Sequence, residues 1–244
     1  MTLLGIPIDA LSMDEAVTSI HRLLTQHRQH QIVTPNSEML VEASKNSAFR
    51  SVLQRSSLNF ADGAGLLLMA RFTGQKLAHR VTGTDTLQLL CKNLGPEYPV
   101  FLLGAAPGIA ERAAQELRAR NPRLKIAGTF AGSPDDSDSA DIVARINAAD
   151  PALLFVAFGA PRQEMWIAKH LSSFTSVRVA MGIGGAFDFI AGVQKRAPSL
   201  LRSMGLEWLW RVIREPKRIG RIWNAVVVFP LLVLRHGKEA PRSL

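Results

Sequence analysis

The sequence lacks the residues and motifs that usually crosslink a protein or hold a metal. It contains one cysteine, Cys91, which permits neither an internal disulfide nor a cysteine-based zinc site. Its six histidines show none of the spacings of zinc motifs, and no P-loop or nucleophile elbow is present. The chain therefore depends on packing, and we expect no metal.

Long apolar runs and a secretory signal are also missing. Residues 225–234 form a ten-residue apolar run interrupted by Pro230, which is short of the ~20 residues that span a bilayer. The first residues lack the basic start, apolar centre and small-residue cleavage site of a signal peptide. We therefore expect a cytoplasmic protein.

Positive charge is concentrated near the C-terminus. The net charge is +9, yet residues 1–192 hold 18 basic and 17 acidic side chains, whereas residues 193–244 hold 11 and 3. A basic segment of this kind favours an anionic partner such as nucleic acid, an acidic membrane or a phosphorylated ligand. We predict a core over residues 1–192 and an appendage over residues 193–244.

The core alternates short apolar runs with helical patterns, which predicts an α/β fold with a Rossmann-like, mostly parallel sheet flanked by helices. The clearest strands are predicted at residues 99–104, 153–159 and 177–183, and helices at 87–94 and 140–149. Ligands on such sheets bind at the carboxyl ends of the strands.

The appendage has the pattern of a basic amphipathic helix. If it is helical throughout, Arg211, Arg214, Arg218 and Arg221 share an arc of about 80°. The apolar residues on the other side are Trp208, Val212, Ile219, Trp223 and Val226. Two interpretations are open, and both can hold: a helix lying in a membrane interface, or a helix docked on its own core.

Polar residues follow two of the predicted strands. Asp62 precedes Gly63 at a strand end, where a half-buried carboxylate can act as a general base; a plain Asp-Gly turn is the alternative. Thr34 and Asn36 can orient a sugar or phosphate, or Asn36 can cap the next helix.

Glycines follow three further strands, at Gly104, Gly159 and residues 182–186. Such turns can hold a diphosphate at a helix N-terminus, and close packing is the alternative. The third turn lacks the last glycine of a dinucleotide fingerprint and the acidic residue that follows it, so we expect no cofactor. Asp136 and Asp138 form the D-x-D string of metal-dependent sugar transferases, but carboxylates at a helix start explain them as well.

Several strings together resemble the WecG/TagA/CpsF family of bacterial glycosyltransferases over nearly the whole chain. They include Thr34-Pro-Asn36, Ala61-Asp-Gly63, Arg80-Val-x-Gly83, and residues 158–164 and 182–188. The resemblance implies inverting, metal-independent transfer of a sugar, of N-acetylmannosamine type or a related hexose, from a UDP-sugar to a polyprenyl-diphosphate-linked sugar in surface polysaccharide synthesis. It implies a peripheral location on the inner face of the cell membrane, on an anionic surface, and is compatible with a homo-oligomer.

The resemblance also implies roles for individual residues. Asp62 would be the catalytic base, with Thr34 beside it. The implied substrate-binding residues are Asn36, Arg80, Gly104, Gly159, Gln163, Arg211, Arg214, Arg218 and Arg221. The appendage would bring arginines over the leaving diphosphate, with Arg211, Arg218 and Arg221 as the best candidates.

Two other functions are weighed against this one. A nucleotide- or NAD-dependent enzyme of another class would use a similar sheet. A nucleic-acid-binding protein would use the basic segment with base-stacking aromatics, yet Trp208, Trp210 and Trp223 lie among aliphatic residues as in an interfacial helix, so we expect no nucleic acid. The sequence distinguishes neither the donor sugar nor the acceptor lipid.

Overall fold

The computed structural model describes residues 1–195, 197–198, 201, 210 and 219–241. Its strands are β1 (Thr2–Leu3), β2 (Ile6–Pro7), β3 (His30–Val33), β4 (Leu58–Asn59), β5 (Val100–Gly104), β6 (Ile126–Phe130), β7 (Leu153–Ala157) and β8 (Val179–Gly182). The first two form an antiparallel hairpin, and the others form one parallel sheet in the order β4-β3-β8-β7-β5-β6. The α/β prediction with a mostly parallel sheet is confirmed.

Helices connect the strands. They are α1 (Met13–Leu24), α2 (Ser37–Lys45), α3 (Ser47–Arg55), α4 (Ala64–Phe72), α5 (Gly83–Asn93), α6 (Ile109–Arg120), α7 (Asp136–Ala149), α8 (Arg162–His170), α9 (Ala186–Ile190), α10 (Ile219–Trp223) and α11 (Phe229–His236). A 3-10 turn follows α8 at Leu171–Ser173. A π turn, Asn224–Val228, joins α10 to α11, and we call the whole of Ile219–His236 the C-terminal helix.

Two predicted helices begin four residues too late. Helix α5 starts at Gly83 because the Thr82 hydroxyl caps it by accepting a hydrogen bond from the Asp85 backbone N–H at 3.1 Å. Helix α7 starts at Asp136, so Asp136 and Asp138 lie in its first turn, where their charge suits the helix dipole. Because the first turn of each of these helices is polar, the spacing of apolar residues does not show where the helix begins.

Alternation along the strands divides the core between the two faces of the sheet. Ile32 lies in a cluster with side chains of α1, α5, α6 and α9, whereas its neighbour Val33 lies in a cluster with α2, α3, α4 and the C-terminal helix. A third cluster packs α7 and α8 on alternate residues of β5 and β7. Each face is therefore covered by its own helices, as a buried parallel sheet requires.

The C-terminal helix is docked on the core. Phe229 and Val233 are fully buried in the cluster that contains α2 and α4. Arg221 forms an ion pair with Glu38 of α2, and the segment beyond the helix continues to the N-terminal hairpin, where the Gly5 N–H donates to the Lys238 carbonyl at 2.9 Å. The C-terminal helix is thus docked on the core, but the apolar side predicted from Ile219, Trp223 and Val226 is wrong for docking, because these three side chains are exposed and Phe229 and Val233 are buried instead.

We predict that Phe229→Ala loosens this docking. The substitution removes a fully buried ring and leaves a cavity, at a cost of about 3 kcal/mol. Hydrogen exchange of the α11 amides should accelerate accordingly, while exchange in β5 stays slow. Leu231→Ala on the same helix is the control, because Leu231 is 60% exposed; equal acceleration in both variants would contradict the docking.

Candidate functional site

The sheet topology predicts a crevice at the carboxyl ends of β3 and β8. These strands are neighbours, with His30 opposite Val179 and Ile32 opposite Met181. The helix after β3 packs on one face of the sheet, and the helix after β8 packs on the other. Adjacent strands whose connections leave to opposite faces create the crevice in which open α/β sheets bind ligands.

Thr34 and Ile183 lie on the two walls of this crevice. Gly83, the first residue of α5, closes against both, since a Cβ placed on it would lie 3.4 Å from Thr34 Oγ1 and 3.7 Å from Ile183 Cα. The threonine side chain is almost completely buried at this junction. The chain therefore brings three separate segments into contact around Thr34.

Asp62 is held beside them by backbone hydrogen bonds. Its N–H donates to the Pro35 carbonyl at 2.9 Å, and the carbonyl of Ala61 accepts from the Val81 N–H at 2.8 Å. These bonds fix the Asp62 segment between the segments that carry Asn36 and Arg80. All three of these predicted side chains are half-buried. The structure thus gathers Thr34, Asn36, Asp62 and Arg80 at one edge of the sheet.

Two helices begin at this crevice. Asn36 caps α2, because its Oδ1 accepts from the Met39 N–H at 3.0 Å, and Thr82 caps α5. The capping alternative for Asn36 is therefore observed. Helix N-termini carry partial positive charge, so the crevice suits an anionic ligand.

Gln163 holds two of the glycine turns. Its Oε1 accepts from the N–H of Gly159 at 3.0 Å and from the N–H of Gly184 at 3.1 Å, which ties the turn after β7 to the turn after β8. Its Nε2 donates to Glu164 Oε1 at 2.6 Å. Gln163 is 4% exposed, so its amide holds the two turns together inside the crevice wall next to Ile183.

Glu164 is a buried acid to which the sequence assigned no role. It is 1% exposed, its Oε2 has no hydrogen-bond partner, and burial raises the pKa of its carboxyl to about 7. Gly182 makes room for it, since a Cβ there would lie 2.6 Å from Glu164 Oε1. The carboxyl fixes the Gln163 amide with its NH2 inward and its oxygen toward the two turns.

Other predicted site residues lie elsewhere. Gly104 ends β5, two strands from β8, and a Cβ there would lie 2.8 Å from the Ala157 carbonyl, so close packing explains this glycine. Arg211, Arg214 and Arg218 lie outside the described residues. Arg221 is described. It forms an ion pair with Glu38, which lies in the first turn of α2, two residues after Asn36.

The acidic D-x-D string is remote from the crevice. Asp136 accepts from Lys169 Nζ at 2.6 Å, and this contact lowers the pKa of Asp136. It lines a groove of about 610 Å³ between α3, α8 and the start of α7, to which Arg55 and Trp166 also contribute. Among the residues that the structure describes, no three His, Cys, Asp or Glu side chains form a group that could hold a metal ion.

We predict that Glu164→Gln changes how stability depends on pH. Above its ordinary pKa of 4.5 an unfolded glutamate releases its proton, whereas folded Glu164 keeps it until about pH 7. The wild type should therefore lose roughly 3 kcal/mol of unfolding free energy relative to the variant as the pH rises from 4.5 to 8.

Urea unfolding at several pH values measures this difference. Glu116→Gln is the control, since Glu116 is exposed beside Arg120 and its removal should leave the pH profile almost unchanged. Parallel profiles for the wild type and Glu164→Gln would contradict the assignment of a raised pKa to this carboxyl.

Comparison with known proteins identifies the family. The chain matches the glycosyl transferase WecG/TagA/CpsF family over residues 1–243. It is 33% identical over 244 residues to an N-acetylglucosaminyldiphosphoundecaprenol N-acetyl-beta-D-mannosaminyltransferase of Staphylococcus aureus strain MRSA252, covering 99% of this chain and 94% of that enzyme. The enzymes of strains MW2 and NCTC 8325 match equally well. Because the match includes every segment that forms the crevice, the chain belongs to the WecG/TagA/CpsF family of glycosyltransferases.

Proposed function

We propose that this glycosyltransferase moves N-acetylmannosamine, with inversion, from its UDP-sugar to an N-acetylglucosamine carried on a polyprenyl diphosphate. The Staphylococcus aureus relatives are named for this transfer, and their similarity covers 99% of the chain. The observation that carries the proposal is the position of Asp62, which the Pro35 bond holds beside Thr34 in the crevice at the β3–β8 junction.

Asp62 takes the proton from the acceptor hydroxyl. The freed oxygen attacks the anomeric carbon of the donor, the bond from that carbon to the UDP oxygen breaks, and the configuration inverts. Thr34 and Asn36 orient the sugars, because each offers a donor and an acceptor.

Positive groups act on the leaving side, where the departing diphosphate gains charge. The N-termini of α2 and α5 supply partial charges and Arg80 supplies a full one near the same edge, while Arg221 contributes as part of its ion pair with Glu38. The remaining arginines of the appendage act with them. We propose that these groups replace a metal ion.

The enzyme acts as a peripheral protein on the inner face of the cell membrane. By length and composition the C-terminal helix is apolar enough to cross a bilayer, with 18 residues of mean hydropathy 1.3. One side of it, however, is committed to the core through Phe229, Val233 and the Arg221 ion pair. A helix docked in this way favours contact along a membrane surface over a crossing.

We predict that Asp62→Asn lowers turnover by about 10²- to 10⁴-fold, because the amide cannot accept the proton of the acceptor. Binding of UDP-N-acetylmannosamine, measured by calorimetry, should change little. Asp150→Asn is the matched control, since Asp150 follows α7 at the opposite end of β7 and loses the same charge. Undiminished turnover of Asp62→Asn would exclude this residue as the base.

We also predict that a chelator leaves turnover unchanged. Arginines and helix N-termini carry the stabilisation of the leaving group in this mechanism, so an excess of EDTA should have no effect. Assays after metal-free dialysis, with and without added manganese, measure this. A strict need for manganese would contradict the mechanism.

A further inference from the structure

Large exposed apolar side chains are concentrated on two adjoining helices. Among the described residues, eight such side chains are strongly exposed, and all but Val193 lie on α4 or on the C-terminal helix. They are Leu68, Phe72, Ile219, Trp223, Val226, Leu231 and Leu234. Large apolar side chains clustered on an exposed surface in this way indicate an interaction site.

The exposed side of α4 continues into the C-terminal helix. Gly65, Leu68 and Phe72 have the i, i+3, i+7 spacing of one helix face. At the start of this face a Cβ on Gly65 would lie 2.4 Å from Ser37 Oγ and 3.9 Å from Cε1 of the buried Phe229, so this end of α4 packs against α2 and the C-terminal helix and the two helices adjoin. Leu68 and Phe72 are 53% and 67% exposed, because Leu66 and its neighbours supply the buried side of α4.

The π turn aligns the two halves of the C-terminal helix. Pro230 cannot donate to the carbonyl four residues earlier, and the π turn before it relieves that clash. The π turn inserts one extra residue into the helix. The residues after it are therefore rotated by about 100° from the positions they would have in an uninterrupted α-helix. Ile219, Trp223, Leu231 and Leu234 then share an arc of about 80°, with the buried Phe229 on the opposite side.

Charge around this surface is mostly positive. Neither α4 nor the C-terminal helix contains an acidic residue, whereas Arg71, Arg235 and the nearby Lys76 and Lys238 are exposed cations. Among the described residues near this surface Glu239, next to Lys238, is an exposed acid, but cations predominate. An apolar surface bordered mainly by cations matches an anionic lipid layer. A second copy of the same surface would bring like charges together.

We propose that Leu68 and Phe72 of the catalytic core insert into the membrane beside the C-terminal helix and so set the height of the active-site crevice above an anionic bilayer. This inference rests on the proposed function. Helix α4 begins two residues after Asp62, and Phe72 lies about 12 Å further along its axis. This short separation keeps Asp62 within reach of an acceptor sugar whose lipid stays in the membrane.

The test compares Leu68→Glu/Phe72→Glu with a matched control on α6. Gln115→Glu/Ala119→Glu introduces glutamates at the same i, i+4 spacing, at exposed positions on the opposite face of the sheet. Each protein is assayed for flotation with vesicles containing phosphatidylglycerol. Turnover is measured on a polyprenyl acceptor in those vesicles and on a water-soluble, short-prenyl acceptor.

We expect the α4 variant to lose about tenfold or more in vesicle binding and in turnover on the vesicle acceptor, since two apolar insertions are lost. Its turnover on the soluble acceptor and its circular dichroism should match the wild type, and the α6 control should match in every assay. Unchanged vesicle binding of the α4 variant overturns the inference, as does a change confined to its oligomeric mass. Failure of the wild type on both acceptors would instead contradict the proposed function.

Discussion

The parallel pairing of β3 with β8 is the constraint on which the site depends. It places Thr34 and Ile183 side by side although they are far apart in the sequence, and it forces the following helices α2 and α9 onto opposite faces of the sheet. The crevice between them is a result of topology before any side chain is considered. Asp62 enters it because β4 extends the sheet beside β3.

Buried polar groups then give the crevice its shape. Gln163 can satisfy two glycine N–H groups at once only if its amide oxygen faces them, and the carboxyl of Glu164 enforces that orientation. Burying an acid with an unpartnered oxygen costs stability, and here the cost falls next to the reactive edge. A local cost in stability at a binding site is typical of enzymes whose binding groups are fixed in position before the substrate arrives.

Much of this arrangement could be predicted from the sequence, for physical reasons that differ between residues. Asp62 and Thr34 follow short apolar runs, and strand ends in a parallel sheet share one edge, so their meeting follows from the fold class. The burial of Glu164 left no such signal, because a glutamate in an amphipathic helix is ordinarily exposed and its space is provided by the distant Gly182. Gly104 followed the same strand-end pattern as Asp62, yet it serves packing against Ala157.

The two ends of the described chain meet. Leu4 and Gly5 donate to the carbonyls of Gly237 and Lys238, and Phe229 fills a space between helices that begin more than a hundred residues earlier. During synthesis the C-terminal helix leaves the ribosome after the helices on which it packs, so those helices are made before Phe229 can fill the space between them. The joint apolar surface of α4 and the C-terminal helix therefore forms only after residues 219–241 have been made.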